Sequence, residues 1–161
     1  MTAQAPVWTA VCVWALLGAH ASWTDLRYSI VSRQACWLAG SVIAVLWAAS
    51  ALALGEPLRL IRTFIGSAAV AAATEVADRR RPDAIGYGDI RLIIVNSLLV
   101  SWWGIAWPWW ALTAGAIAAS PRALISRLHR GREASIRCAP ALAVGTGVIA
   151  AALLAAHGPV P

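Results

Sequence analysis

The chain has 161 residues, of which 60% are hydrophobic and 12% charged, and its net charge of +6 comes from thirteen arginines without any lysine. Soluble domains carry about 25% charged residues, so this composition excludes a soluble enzyme and a disordered protein. The arginines fall between apolar runs instead of forming one patch. This distribution favours the loop charges of a membrane protein over a nucleic-acid partner.

The three cysteines, Cys12, Cys36 and Cys138, are widely spaced and form no Cys-x-x-Cys pair. They therefore predict neither a disulfide framework nor a zinc site. A glycine-rich nucleotide loop is also missing. We expect no metal and no cofactor.

Five charge-free stretches predict the membrane spans: 1–24, 34–55, 63–74, 92–121 and 138–161. The first has no basic residues before it, so it predicts a retained span, not a signal peptide. The third is short, but Arg59 and Arg62 can extend to the headgroups. The fourth is too long for one ordinary helix and is interrupted between Trp102 and Trp110, where Trp and Pro predict a turn at the membrane surface.

Counting the fourth stretch as two helices gives six spans and places residues 25–36, 78–91 and 122–137 on one side. Those segments hold eleven of the thirteen arginines, and only Arg59 and Arg62 fall on the other side. The positive-inside rule then puts the three segments in the cytoplasm. The predicted fold is an all-α polytopic membrane protein with about six spans, both termini outside, and residues 1–161 in one membrane-embedded domain.

Two of the acidic residues differ from loop charges. Asp25 closes the first apolar run, and Asp89 opens the fourth, directly after Gly86-Tyr87-Gly88. The six-span topology brings both to the cytoplasmic membrane boundary, where an ionisable group is costly and usually functional. Two carboxyls that share a site do not both ionise easily, so one keeps a proton while the other activates water, as in aspartyl proteases. Asp89 alone is also explained as a helix N-cap.

The helix ends predict which carboxyl carries the proton. Asp89 lies at a helix N-terminus, whose dipole favours an anion, and Asp25 lies at a helix C-terminus, whose dipole disfavours one. We therefore expect Asp25 to be the acid and Asp89 the base.

The segment Gly86-Tyr87-Gly88-Asp89-Ile90-Arg91-Leu92 resembles the Gly-x-Gly-Asp-x-Lys-Leu signature of the type IV prepilin peptidases, which are GxGD intramembrane aspartyl proteases. Asp25-Leu26-Arg27-Tyr28-Ser29-Ile30 resembles the family's other active-site element, an Asp followed by Arg and Ile. Ala139–Gly145 is similar to the Pro-containing stretch that opens the family's last helix. The three segments occur in the family's order.

The resemblance implies a membrane aspartyl endopeptidase that removes the short basic leader of prepilin-like proteins at the cytoplasmic face of the inner membrane. Asp25 and Asp89 would be its catalytic pair. The residues that would bind substrate or shape the site are Gly86, Gly88, Arg91, Arg27 and Pro140. Pro140-Ala141-Leu142 also matches the PAL element of the presenilin branch, and a Pro in the first turn of a helix explains it equally well. The expected partners are prepilin-like substrates and membrane lipid.

Three features depart from the family pattern. Ile30-Val31-Ser32 stands where Ile-Pro-Asn is common, which removes a Pro that would stiffen the loop. Arg91 stands where Lys is usual, which keeps the charge but changes its donor geometry. Larger members carry an N-terminal cytoplasmic segment with two Cys-x-x-Cys pairs and methylate the new N-terminus. Its absence predicts cleavage without methylation, as in the short peptidases of tight-adherence pili and archaeal flagellins.

Two other functions stay open from the sequence. A proton-coupled transporter would use two intramembrane acids as a relay, although near the midplane instead of at one face. A non-catalytic pilus-assembly protein would bind pilins without cutting them, and the altered Val31-Ser32 segment favours it. The two retained aspartates argue against it, because buried carboxyls are costly.

Overall fold

The computed structural model of the chain describes residues 4–80, 86–130 and 138–159. These residues form six α-helices and no strand. The helices are α1 (Ala5–Tyr28), α2 (Arg33–Leu54), α3 (Pro57–Arg80), α4 (Tyr87–Val100), α5 (Trp107–Arg130) and α6 (Ala139–His157). The predicted all-α class is confirmed. Part of two predicted cytoplasmic segments, 81–85 and 131–137, lies outside the described residues.

Four helices, α1, α2, α3 and α6, are long and apolar enough to cross a membrane. The outer surface of the bundle is apolar as well: Leu16 is 73% exposed, Leu38 70% and Leu52 77%. Large exposed apolar areas are unfavourable in water and normal against lipid. The chain is therefore a multi-pass membrane protein. The count of six spans and the outward position of both termini stay predictions.

The long fourth stretch is two helices, as its Trp-rich centre predicts. After α4 ends at Val100, the chain forms a 3₁₀ helix, Ser101–Trp103, and then turns at Gly104, whose φ of 153° few other residues adopt. Trp102 differs from the expectation for an interfacial Trp, because its side chain is only 2% exposed. It stacks on Trp47 with 4.6 Å between ring centroids. The turn is thus anchored in the core.

Helix α5 continues through Pro121, the end of the charge-free stretch, to Arg130. A Pro inside a helix has no N–H to donate to the carbonyl four residues earlier, which here belongs to Ile117. The Ser120 hydroxyl donates to the Ile117 carbonyl at 2.7 Å instead. The Ile117 carbonyl therefore keeps a hydrogen-bond donor, which explains why the helix does not stop at the proline.

Short connections reverse the chain direction between successive helices. The C-terminus of α1 and the N-termini of α4 and α6 therefore lie at one end of the bundle, here called the site end. Helix α4 is at the centre, since it packs against all five other helices and nine of its 14 residues are buried. This central position explains how a short helix is held firmly.

Candidate active site

Asp25 lies in the last turn of α1 and is 6% exposed. The helix ends because Ser29 adopts a left-handed conformation with φ of 55°, and its N–H donates to the Asp25 carbonyl oxygen at 2.9 Å. The Asp25 side chain accepts a buried hydrogen bond at Oδ2 from the backbone N–H of Ala139, at 3.3 Å. That N–H belongs to the first residue of α6, so the carboxyl is fixed against a helix N-terminus.

Asp89 lies in the first turn of α4, in a partly buried position. The alternative explanation of Asp89 as the N-cap is wrong, because Gly86 occupies that position and provides no side-chain cap. Asp89 is the third residue of the helix, where a carboxylate is close to the positive end of the helix dipole. A methyl group on Gly86 would lie 3.5 Å from Asp89 Oδ2, so the carboxyl turns back toward the start of its own helix.

The two carboxyls lie at the same end of the bundle, Asp25 in the last turn of α1 and Asp89 in the first turn of α4. The carboxylate of Asp25 is close enough to that of Asp89 for a direct electrostatic repulsion. Cys138, the residue just before α6, lies within electrostatic range of both carboxylates. Across the described ranges, no three His, Cys, Asp or Glu side chains come together as metal ligands would. The site is thus built from two carboxyls and the start of α6.

The loop between α1 and α2 contacts the first turn of α4, at the residue before Asp89. A Cβ atom added to Gly88 would lie 2.8 Å from Cβ of Val31, so a larger residue at Gly88 would displace the loop. Ser32 is the N-cap of α2, and its side chain accepts from the Ala35 N–H at 3.3 Å. Asn and Ser are about equally good N-cap residues, so Ser32 caps α2 as the family's usual Asn would at this position.

The two arginines of the predicted site point away from the carboxyls. Arg27 is exposed, and its guanidinium lies 5.0 Å from the ring centroid of Trp23. Arg91 follows Asp89 by two residues, which puts it on the opposite face of α4. There it lines a cavity of about 240 Å³ between α2, α3 and α4, whose other walls are almost entirely apolar. A direct part in substrate binding stays a prediction for both.

The proline of the predicted site follows the residue that binds the Asp25 carboxyl. Pro140 is in the first turn of α6, next to the Ala139 N–H that binds Asp25. The simpler explanation of Pro140 as a first-turn proline is therefore confirmed. Its position next to Asp25 is equally compatible with a site-shaping role.

A family model of type IV leader peptidases matches residues 10–156. The chain belongs to the type IV leader peptidase family. This confirms the family indicated by the resemblance, and the matched range includes Asp25, Asp89 and Pro140. Comparison with curated proteins and with solved structures gave no match.

Two groups near the carboxyls, the Ala139 N–H and Cys138, were not predicted from the sequence. The signal was present, because a proline early in a helix marks a helix N-terminus with free N–H groups, and the topology puts the start of α6 at the site end. The missed donor also affects the proton assignment. Asp25 lies at the positive end of the α6 dipole as well as at the negative end of the α1 dipole. The helix dipoles therefore no longer predict which of the two carboxyls keeps the proton.

Proposed function

We propose that the protein is an aspartic endopeptidase that removes the leader of prepilin-like membrane proteins, with Asp25 and Asp89 as its catalytic pair. The observation that carries this proposal is the approach of two carboxyls from separate motifs at one end of the bundle. Membership of the type IV leader peptidase family supports the substrate class.

The chemistry requires one protonated and one ionised carboxyl, which is the favoured state of a close pair. The ionised carboxyl takes a proton from water as the water oxygen bonds to the scissile carbonyl carbon. The protonated carboxyl gives its proton to the carbonyl oxygen, and a tetrahedral diol forms. The carboxyl that took the water proton then gives it to the leaving nitrogen, and the other, now ionised, carboxyl takes a proton from a diol hydroxyl as the C–N bond breaks. The Ala139 N–H holds Asp25 in place during these steps.

The proposed enzyme lies in the inner membrane with its site end in the cytoplasm. The support for this orientation is the excess of arginine in the segments that connect helices at the site end, combined with the positive-inside rule. A prepilin cut just before its apolar helix would present the scissile bond at the membrane boundary, at the depth of the helix ends that carry the two aspartates.

Two observations count against the other functions. Both aspartates lie in terminal turns, Asp25 in the last turn of α1 and Asp89 in the first turn of α4, whereas a proton relay would need acids near the midplane. The departure at Val31-Ser32 leaves the start of α2 capped by Ser32, so the loop keeps a defined end. That departure no longer favours a non-catalytic protein.

The test is processing of a prepilin encoded in the same genome, with both proteins produced together in a host that lacks prepilin peptidases. We expect the prepilin to lose its leader, seen as a gel shift, and mass spectrometry to locate the new N-terminus before the apolar helix. Cells that produce the prepilin alone are the control. Intact prepilins beside a correctly inserted enzyme, for every candidate in the genome, would overturn the proposal.

A further inference from the structure

A buried amide joins the three helices that form the site. Asn96 of α4 is 4% exposed. Its Oδ1 accepts from the indole Nε1 of Trp14 in α1 at 2.8 Å, and its Nδ2 donates to the carbonyl oxygen of Leu142 in α6 at 3.5 Å. Trp14, Asn96 and the Leu142 carbonyl are called the amide node below.

The three helices that meet at the site meet again at the amide node, deeper in the bundle. Trp14 precedes Asp25 by eleven residues, and Asn96 follows Asp89 by seven. At 3.6 residues per turn both separations return to within about 20° of the same helix face. Leu142 is in the same helix as Ala139, whose N–H binds Asp25, and follows it by three residues. Each of the three helices thus contributes one group to the site and one to the node.

This repetition constrains how the helices slide against each other. Apolar packing between membrane helices is tolerant of small shifts, because lipid is as apolar as the helix surface. A buried hydrogen bond does not tolerate such shifts. Sliding one helix by one residue would leave an indole N–H and an amide without partners in an apolar interior. The node therefore fixes the register of α1 and α6 relative to α4.

We propose that Asn96 is a positioning residue that holds Asp25 and Asp89 in register through Trp14 and Leu142. The proposal rests on the proposed function for its kinetic consequence, but the register itself is independent of it. Asn96 lies two turns from Asp89 and touches no substrate. Its effect on catalysis would be entirely through the distance between the two carboxyls.

The chain offers a matched control at Trp47. The indole Nε1 of Trp47 donates to the Leu98 carbonyl of α4 at 3.0 Å, and its side chain is fully buried. Trp47 thus makes a bond of the same type to the same helix, but from α2, which carries neither aspartate. Trp47→Phe removes that bond just as Trp14→Phe removes the bond to Asn96.

The first experiment measures kcat and KM of prepilin cleavage for Asn96→Leu, Trp14→Phe and Trp47→Phe, each below its own unfolding temperature. A shift of the carboxyls by about 1 Å should lower kcat by up to a hundredfold, with KM little changed. Trp47→Phe should keep a kcat near the wild-type value. Equal losses of kcat for Trp14→Phe and Trp47→Phe would mean that the node is only structural and would overturn the proposal.

The second experiment does not depend on activity. In a chain with Cys12, Cys36 and Cys138 changed to Ser, the pair Asp25→Cys and Asp89→Cys is joined with a short bifunctional thiol reagent. We expect rapid crosslinking that Asn96→Leu slows strongly and Trp47→Phe does not. Unchanged crosslinking in Asn96→Leu would refute the positioning role. If Asn96→Leu slows crosslinking but the wild-type chain, with both aspartates, cleaves no prepilin, the positioning role stands and the peptidase function is rejected.

Discussion

Gly88 packs on Val31 so closely that a methyl group at Gly88 would lie 2.8 Å from the Val31 Cβ. Cβ atoms essentially never come so near, and Val31 Cβ is not the free end of a flexible side chain. The turn that leads to Asp89 and the loop that leaves Asp25 are therefore one packed unit. The second glycine of the GxGD motif, Gly88, therefore has a steric role.

Gly88→Ala is accordingly expected to reduce prepilin cleavage by about tenfold or more, because the loop or the start of α4 must move by a substantial fraction of an ångström. The measurement is the initial rate of leader loss in proteoliposomes. Gly18→Ala is the matched control, since a methyl there would make an ordinary 3.5 Å contact with Ala143. Gly88→Ala combined with Val31→Gly should recover part of the rate. Equal rates for Gly88→Ala and Gly18→Ala would contradict this account.

At position 32, we expect Asn to preserve the stability of the protein and Ala to lower it. Ser32→Ala removes the side-chain bond to the Ala35 N–H and should cost about 1 kcal/mol of stability, whereas Ser32→Asn should be nearly neutral. Unfolding of the purified protein in mild detergent measures both. If Ser32→Asn unfolds as readily as Ser32→Ala, the capping explanation for the departure from the family pattern is wrong.

Helices α5 and α6 touch through their backbones at Gly145. A Cβ on Gly145 would overlap the backbone of Gly115, which has no side chain to move aside. Overpacking a protein core costs roughly 1–3 kcal/mol, and Gly145→Ala should lower the free energy of unfolding by at least that amount. Gly40→Ala, whose methyl would meet only a Val95 side-chain carbon at 3.4 Å, serves as the comparison. Indistinguishable unfolding curves for these two variants would rule out the close helix contact.

Cys138 offers a chemical test of the site and of its orientation. Cys138 directly precedes Ala139, whose N–H binds Asp25, and lies within electrostatic range of both carboxylates. A bulky thiol adduct should therefore abolish cleavage, while Cys138→Ser should remain active. The reagent is applied to a variant in which Cys12 and Cys36 are Ser, so that only Cys138 reacts. A membrane-impermeant reagent should act on inside-out vesicles and not on right-side-out ones. Inhibition from the outer side alone would reverse the proposed topology.

Local signals in the sequence predicted the helices and the two aspartates. The apolar runs indicated the helices, and Gly104 and Pro108 lie where the fourth stretch is broken. The pairing of Asp25 with Asp89 required only the directions of α1 and α4, which the count of helices supplies.

Long-range packing was beyond the sequence analysis. The bond from Ala139 to Asp25 and the bond from Trp14 to Asn96 depend on helix register, which no local pattern encodes. The continuation of α5 past Pro121 depends on the rotamer of Ser120. Trp102 is buried because Trp47 on another helix stacks against it, and an isolated Trp gives no sign of that partner.

Cleavage by the proposed mechanism requires both carboxyls, and the most direct measurement of this requirement is the single-turnover cleavage rate of Asp25→Asn and Asp89→Asn. Glu56→Gln is the control, because this carboxyl pairs with Arg59 at the other end of the bundle. Loss of the acid or the base should slow cleavage by about 10²–10⁴-fold in each Asn variant, with substrate still bound, and leave Glu56→Gln active. Cleavage at the wild-type rate by either Asn variant would contradict the account.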